Sequence, residues 1–263
     1  MVTTINTSNA GDLHSQDIAH AWHPFTQATE RLRSPLLQIV KGEGNWLFDV
    51  EGNKYFDGTA SLWTNVRGHA DPALNEALKD QIDQIAHSTY LGLSHPPATK
   101  LAEKLASISP GDLETTFFSD NGSCAVEIAL KMSLQYWQLK GKKQKRKIAA
   151  MHDAYHGDTL GAMSVGGIGP FTDRFRSWCF DVDRFSAPEC EESGGVIHKA
   201  DAARSIMELK SLLENEGPGL AAVVLEPSVQ GVAGMKQQPP GFLTEVAKLC
   251  KRANVHLILD EVF

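Results

Sequence analysis

Positive charge is in short supply. The chain carries 25 lysines and arginines against 32 aspartates and glutamates, a net charge of −7. That balance argues against nucleic acid as a partner, because phosphate backbones need a basic surface. Cysteine is sparse as well. Cys124, Cys179, Cys190 and Cys250 form no CxxC pair, and a chain of this length is no small disulfide scaffold, so reduced thiols are expected. Residues 1–17 are polar and lack the apolar core of a secretion signal. No apolar run is long enough to span a bilayer. Internal repeats and low-complexity segments are missing too. These absences lead to the expectation of a soluble, cytoplasmic protein with no membrane partner.

The remaining composition is ordinary: 42% hydrophobic and 22% charged residues lie near the globular norm, so disorder is not expected. With 263 residues the chain can bury a substantial core, as one large domain or as a large domain with a smaller companion. One basic run, residues 140–147 (KGKKQKRK), reads as a solvated loop between a helix and a strand.

Residues 1–17 read as a flexible lead. Residues 36–40, 46–49 and 54–57 are strand-like, with a tight turn at Glu51-Gly52-Asn53, which predicts a small antiparallel sheet. Helical spacing follows over 72–86, where Asp71 is placed to cap a helix that opens on Pro72, and again over 97–109. Beyond that point the elements alternate. Strands are expected at 115–119, 147–152, 221–226 and 255–260, and helices at 123–140, 201–214 and 241–253. Apolar strands separated by helices indicate an α/β fold with a mostly parallel sheet covered on both faces. Residues 1–65 are read as an N-terminal segment carrying the small sheet, and 66–263 as the large domain.

Parallel sheets bind ligands at the carboxyl ends of their strands. The first such end reads Ser119-Asp120-Asn121-Gly122-Ser123. It is either an ordinary helix cap or a phosphate site in which Gly122 permits close approach and Ser123 adds a hydroxyl. Tyr155, in Tyr155-His156-Gly157-Asp158-Thr159, is either a core aromatic or a platform for a flat cofactor. His152 and His156 have the four-residue spacing of a zinc-binding HExxH, but Asp153 stands where glutamate is needed, so no metal is expected. Asp260 ends the apolar strand VHLIL. A carboxylate there needs a positive partner: the protonated ring nitrogen of a cofactor, or the magnesium of a nucleotide triphosphatase. The second reading requires a GxxxxGK loop, and the chain has none. A phosphate site, a stacking tyrosine and a buried aspartate together suit pyridoxal 5′-phosphate.

The sequence resembles the class III, fold type I aminotransferases, and within them the branch that serves biotin synthesis. The resemblance runs from about His20 to Phe263. It is carried by Trp22-His23-Pro24-Phe25-Thr26, Asp57-Gly58 with Ser61-Leu62-Trp63, Ala86-His87-Ser88-Thr89, residues 119–132 (SDNGSCAVEIALKM), 134–138 (LQYWQ), 154–167 (AYHGDTLGAMSVGG), 226–235 (EPSVQGVAGM) and 257–261 (LILDE). It implies that Gly122 and Ser123 bind the cofactor phosphate, Tyr155 stacks on the ring and borders the substrate, and Asp260 meets the pyridine nitrogen. Glu226 and Gln230 would line the pocket behind the ring, and Trp63 or Leu62 would wall the substrate site. It further implies a homodimer that passes an amino group from S-adenosylmethionine to 8-amino-7-oxononanoate. A second branch, the ω-amino-acid or diamine aminotransferases, and a non-catalytic relic that binds pyridoxal phosphate are the alternatives.

Three departures accompany the resemblance. Phe25 stands where the family often has a tyrosine whose hydroxyl helps recognise substrate. Leu62-Trp63 stands where some members have paired tryptophans. No lysine in this sequence matches the Schiff-base motif, which in the family lies beyond the position of Phe263. The expectation is therefore an incomplete fold type I large domain, inactive by itself.

Overall fold

A computed structural model describes residues 10–34, 36–167, 169–193 and 196–263. Contacts divide the chain into two compact units, Met1–Lys104 and Leu105–Phe263.

The first unit opens with helices α1 (Ala10–His20) and α2 (Ala28–Arg33). This corrects the expectation of a flexible lead for residues 10–17; residues 1–9 lie outside the described set. The segment has little apolar periodicity to betray a helix. Its carbonyl end is held by Arg31, whose guanidinium donates to Ile18 O at 2.6 Å and also to Ala21 O. Strands β1 (Ile39–Glu43), β2 (Trp46–Asp49) and β3 (Lys54–Phe56) form the expected antiparallel sheet in the order β1-β2-β3. Its second turn is closed by Asp49, whose carboxylate accepts from the amides of Glu51 and Asn53. A short turn, α3 (Ala60–Trp63), leads to α4 (Pro72–Gln84) and α5 (Pro96–Ile108). Asp71 caps α4 as read, accepting from Ala73 N at 2.9 Å and Leu74 N at 3.1 Å.

The second unit holds α6 (Gly122–Leu139), β4 (Lys147–Met151), α7 (Leu160–Val165), α8 (Gly169–Thr172), a 3₁₀ turn (Asp173–Trp178) and β5 (Asp183–Phe185). A hairpin of β6 (Glu189–Ser193) and β7 (Val196–Asp201) follows. Then come α9 (Ala203–Glu216), β8 (Leu220–Leu225), the ribbon β9 (Val229–Gln230) and β10 (Lys236–Gln237), α10 (Phe242–Ala253) and β11 (His256–Leu259). The main sheet is wholly parallel, in the order β11-β8-β4-β5. Alternation along each strand sends one set of residues to each face. Ala149, Met151, Val223 and Leu225 pack under α9 and α10 with Leu209 and Val246. Ile148, Ala150, Ala222 and Val224 pack under α6 and α7 with Val126, Leu130 and Trp137. β8 is buried along its whole length.

Two expectations fail here. Residues 115–119 pair with no strand among the described residues, and Phe117 is largely exposed. A ladder needs a neighbour as well as the right residue types. In the basic run Lys145 is buried instead of solvated. Its ammonium donates to Gly217 O and Leu220 O, both at 2.9 Å, and sits over the Trp137 ring. Cys124, Cys179 and Cys250 are free thiols; the side chain of Cys190 is outside the described set. Among the described residues no helix is long and apolar enough to cross a membrane.

Candidate active site

The strand order reverses beside β4: the chain runs outward to β5, then returns to place β8 and β11 on the other side. Ligand crevices form at such switch points, outside the carboxyl ends of the strands. The segments that leave β4, β8 and β11 there carry Tyr155, Glu226 and Asp260.

Helix α6 starts against the segment that follows β11. Asn121 is its N-cap, with extended backbone and a side chain that accepts from Cys124 N at 2.8 Å. The first intrahelical bond runs from Ala125 N to Asn121 O. The amides of Gly122 and Ser123 therefore precede the helical ladder at the positive end of an 18-residue helix. A Cβ on Gly122 would stand 2.7 Å from Val262 Cγ2, so glycine is what lets the chain after β11 cross this helix start.

The loop after β4 closes onto the same helix. Ser123 Oγ accepts from Asp158 N at 3.1 Å. Gly157 has φ 116°, and a Cβ there would fall 1.7 Å from Ser123 Oγ. No other residue fits at that point. The loop is supported from beneath by two charged side chains. Glu127 of α6 accepts from Gly161 N and Ala162 N, covering the exposed start of α7. Arg184 of β5 donates to the carbonyls of Met151, Ser164, Val165 and Gly166 at 2.6 to 3.2 Å. Burial holds that guanidinium down to about 10.

At the centre of the cluster, Asp260 Oδ2 lies 2.8 Å from His156 Nδ1, and its Oδ1 accepts from Val262 N at 3.2 Å. Their side chains are 7% and 0% exposed, so the pair is shielded from water. The other ring nitrogen, His156 Nε2, is buried with no hydrogen-bond partner among the described residues. Glu226 accepts from Tyr155 N at 3.1 Å and from Gly231 N at 3.0 Å. Burial raises its carboxyl above the usual range, against the pull of those two amides. Gln230, fully buried, donates to His152 O at 3.0 Å. The Tyr155 ring meets Phe171 edge-on at 5.8 Å, and its hydroxyl donates to Asp158 Oδ2 at 3.0 Å. Burial, with Asp158 adding to it, pushes the phenol up to about 12.

Gly122, Ser123, Tyr155, Glu226, Gln230 and Asp260 are thus joined by direct contacts or through one neighbour. From the sequence, His156 reads as half of a weak zinc spacing and as a member of the segment Tyr155–Thr159. Its partner stands 104 residues away, so the pairing leaves no local signal; the only hint was its place between Tyr155 and Gly157. Glu127 and Arg184 left no signal either. Phe25, Leu62 and Trp63 belong to the first unit. Phe25 and Leu62 are largely exposed there, and all three have positive φ.

The model of the family described as aminotransferase class-III matches residues 27–263. An adenosylmethionine-8-amino-7-oxononanoate aminotransferase of Geobacter sulfurreducens is 46% identical over 95% of this chain, which covers 56% of that protein. The crystal structure of the same-named enzyme from Methanocaldococcus jannaschii superposes with a TM-score of 0.89 at 40% identity, over 96% of this chain and 55% of that one. An (S)-enantioselective omega-transaminase from Thermomicrobium roseum gives a TM-score of 0.88 at 35% identity, over 95% and 56%. The chain spans about half the length of the curated relatives it matches.

Proposed function

Since the chain belongs to the class-III aminotransferases, a family dependent on pyridoxal phosphate, we propose that its strand-end cluster holds that cofactor within a transaminase of biotin synthesis. On this reading the whole protein transfers an amino group from S-adenosylmethionine to 8-amino-7-oxononanoate, giving 7,8-diaminononanoate. It works in the cytoplasm as a homodimer. Residues 66–263 carry the cofactor.

The residues present suit the group. An anionic phosphate matches the amides of Gly122 and Ser123 at the α6 start. A flat ring matches Tyr155, and a protonated ring nitrogen matches the shielded carboxylate of Asp260. Nε2 of His156, buried without a hydrogen-bond partner among the described residues, supports a ligand there that supplies one. Pyridoxal phosphate, when bound, supplies an electron sink for the pair released as the substrate amine loses its α-proton.

The chain's own part is to bind and to orient. His156 fixes the rotamer of Asp260, leaving the carboxylate an acceptor for a cationic nitrogen. Ser123 ties the Gly157 loop to the helix that receives the phosphate. Tyr155 stays a neutral phenol across physiological pH, a flat uncharged face beside the ring. Glu226 and Gln230 hold the backbone behind it. Phe25, Leu62 and Trp63 are assigned to the substrate by motif.

The supporting observation is the 2.8 Å His156–Asp260 pair next to the Gly157–Ser123 contact. Equilibrium dialysis of pyridoxal phosphate and of unphosphorylated pyridoxal tests it. The phosphorylated form should be retained at least about tenfold better, a difference of about 1.4 kcal/mol, and Asp260→Ala should lose both. Equal retention of the two forms would remove the phosphate site. An ω-amino-acid or diamine aminotransferase is the second reading, favoured by the Thermomicrobium roseum neighbour. A screen of amino donors on the full-length protein separates the two.

A further inference from the structure

The turn Ala60–Trp63 has an unusual backbone. Ala60, Ser61, Leu62 and Trp63 have φ of 48°, 49°, 63° and 68°, four consecutive non-glycine residues in the left-handed region. Each such residue is sterically strained, so the run persists only where its surroundings over-determine it.

Those surroundings converge on one carboxylate. Asp57 Oδ1 accepts from Ser61 N at 2.9 Å and Oδ2 from Ser61 Oγ at 2.7 Å. The same Oδ2 lies 2.7 Å from His69 Nε2. The side chains of Asp57 and His69 are 6% and 14% exposed. Both residues are pinned to the small sheet. Asp57 N donates to Asn45 O at 2.9 Å, and His69 exchanges two backbone bonds with Gly44, at 2.7 and 3.0 Å. His69 also fills the space over Gly42, where a Cβ would come within 2.6 Å of its ring. The turn is then closed by Trp63 N to Thr59 O at 2.8 Å and by Thr64 Oγ1 to Ser61 O at 3.0 Å. The bonds from Ser61, backbone first, bring the Asp57 carboxyl down to about 2, so it accepts as an anion at any physiological pH.

We propose that Asp57 and His69 are positioning residues for substrate: as a clamp mounted on the small sheet, they hold the left-handed turn and thereby fix how Leu62 and Trp63 are presented. The inference rests on the reading above, in which those two side chains wall the substrate site. It gives the antiparallel sheet a task, since its Gly42, Gly44 and Asn45 carry the clamp. It also explains why the wall tolerates a strained backbone: a relaxed turn would point both side chains elsewhere.

The test uses the full-length protein labelled with 5-fluorotryptophan, the Trp63 resonance being assigned by Trp63→Phe. His69→Ala should shift or split the Trp63 resonance and leave those of Trp46 and Trp137 in place. His69→Gln, which can still donate to Asp57, should restore most of the original position. Pyridoxal phosphate retention should be unchanged, and KM for the amino acceptor should rise about tenfold with kcat within about twofold. A Trp63 resonance that does not move overturns the clamp. A resonance that moves while KM stays constant overturns the assignment of Leu62 and Trp63 to substrate, and with it the positioning role. Should His69→Ala collapse the dispersion of all the tryptophan signals, Ser61→Ala, which deletes a single bond of the clamp, decides by the same two readouts.

Discussion

His156 and Asp260 face each other across 2.8 Å, from two loops that leave different strands of one parallel sheet. Both side chains are shielded: His156 has Asp260 as its hydrogen-bond partner, and Asp260 has, besides His156, the amide of Val262. Removing one partner of such a pair typically costs about 3–5 kcal/mol. His156→Ala should therefore lower the unfolding free energy by an amount of that order and weaken pyridoxal phosphate retention about tenfold. Urea denaturation and equilibrium dialysis measure the two effects. Unchanged retention in a folded variant would mean that Asp260 is oriented without the imidazole.

Gly157 gives a sharper steric test. Alanine there adds a Cβ 1.7 Å from Ser123 Oγ on a backbone at φ 116°. Overpacking and left-handed strain each contribute roughly 1–3 kcal/mol. Gly157→Ala should thus cost about 2–6 kcal/mol, and Ser123→Gly in the same chain should recover most of the overpacking part but not the strain. Strict additivity of the two changes in thermal or urea unfolding would contradict the contact.

Alkaline pH should report on Tyr155. Its phenol is pushed up to about 12 from the ordinary value of 10.0. Between those values the folded chain retains a proton that the unfolded chain releases, so the native state binds more protons and stability falls as pH rises through that window. A difference titration of phenolate absorbance between the parent and Tyr155→Phe should place the Tyr155 step well above that of ordinary tyrosines. A Tyr155 that ionises with the others would refute the burial described for its ring.

On the opposite side of the sheet from α9 and α10, His256 stacks on Trp137 at 4.6 Å and its Nδ1 meets Ser133 Oγ at 2.8 Å. Burial, then the nearby ammonium of Lys145, lowers its pKa from 6.5. The unfolded chain therefore takes up a proton before the folded one does, and stability drops as pH falls below about 6.5. Lys145→Met should flatten that acid limb while costing about 1–3 kcal/mol at neutral pH, because two buried carbonyls lose their donor. Denaturation midpoints measured from pH 5 to 8 for the two chains would show it; parallel curves would exclude Lys145 from the coupling.

How much of this was readable in the sequence varied with the range of the interaction. β2 matched its residue-level expectation, and α4, α6, β4, β8 and α10 fell within a few residues, because apolar period and capping residues such as Asp71 act locally. Residues 115–119 had the composition of a strand but no partner, and composition cannot supply one. A charge run such as 140–147 reads as solvated; that the ammonium of Lys145 meets two carbonyls over 70 residues away is a tertiary fact. Ser123, Tyr155 and Asp260 are proposed for the site from expected strand ends, although the strand expected before Ser123 does not pair among the described residues. His156, Glu127 and Arg184 are not so proposed, since each acts on a group that sequence proximity does not reveal. The left-handed turn at Ala60–Trp63 was invisible for the opposite reason: no glycine marks it.

The polar contacts that build the cluster span great lengths of chain: 35 residues from Ser123 to Asp158, 71 from Tyr155 to Glu226, 78 from Gln230 to His152 and 104 from His156 to Asp260. Loops of that size close slowly and only after the strands between them have found their register. During refolding, affinity for the cofactor should therefore be the last property to return, trailing helix content. Its arrival would serve as a clock for completion of the sheet.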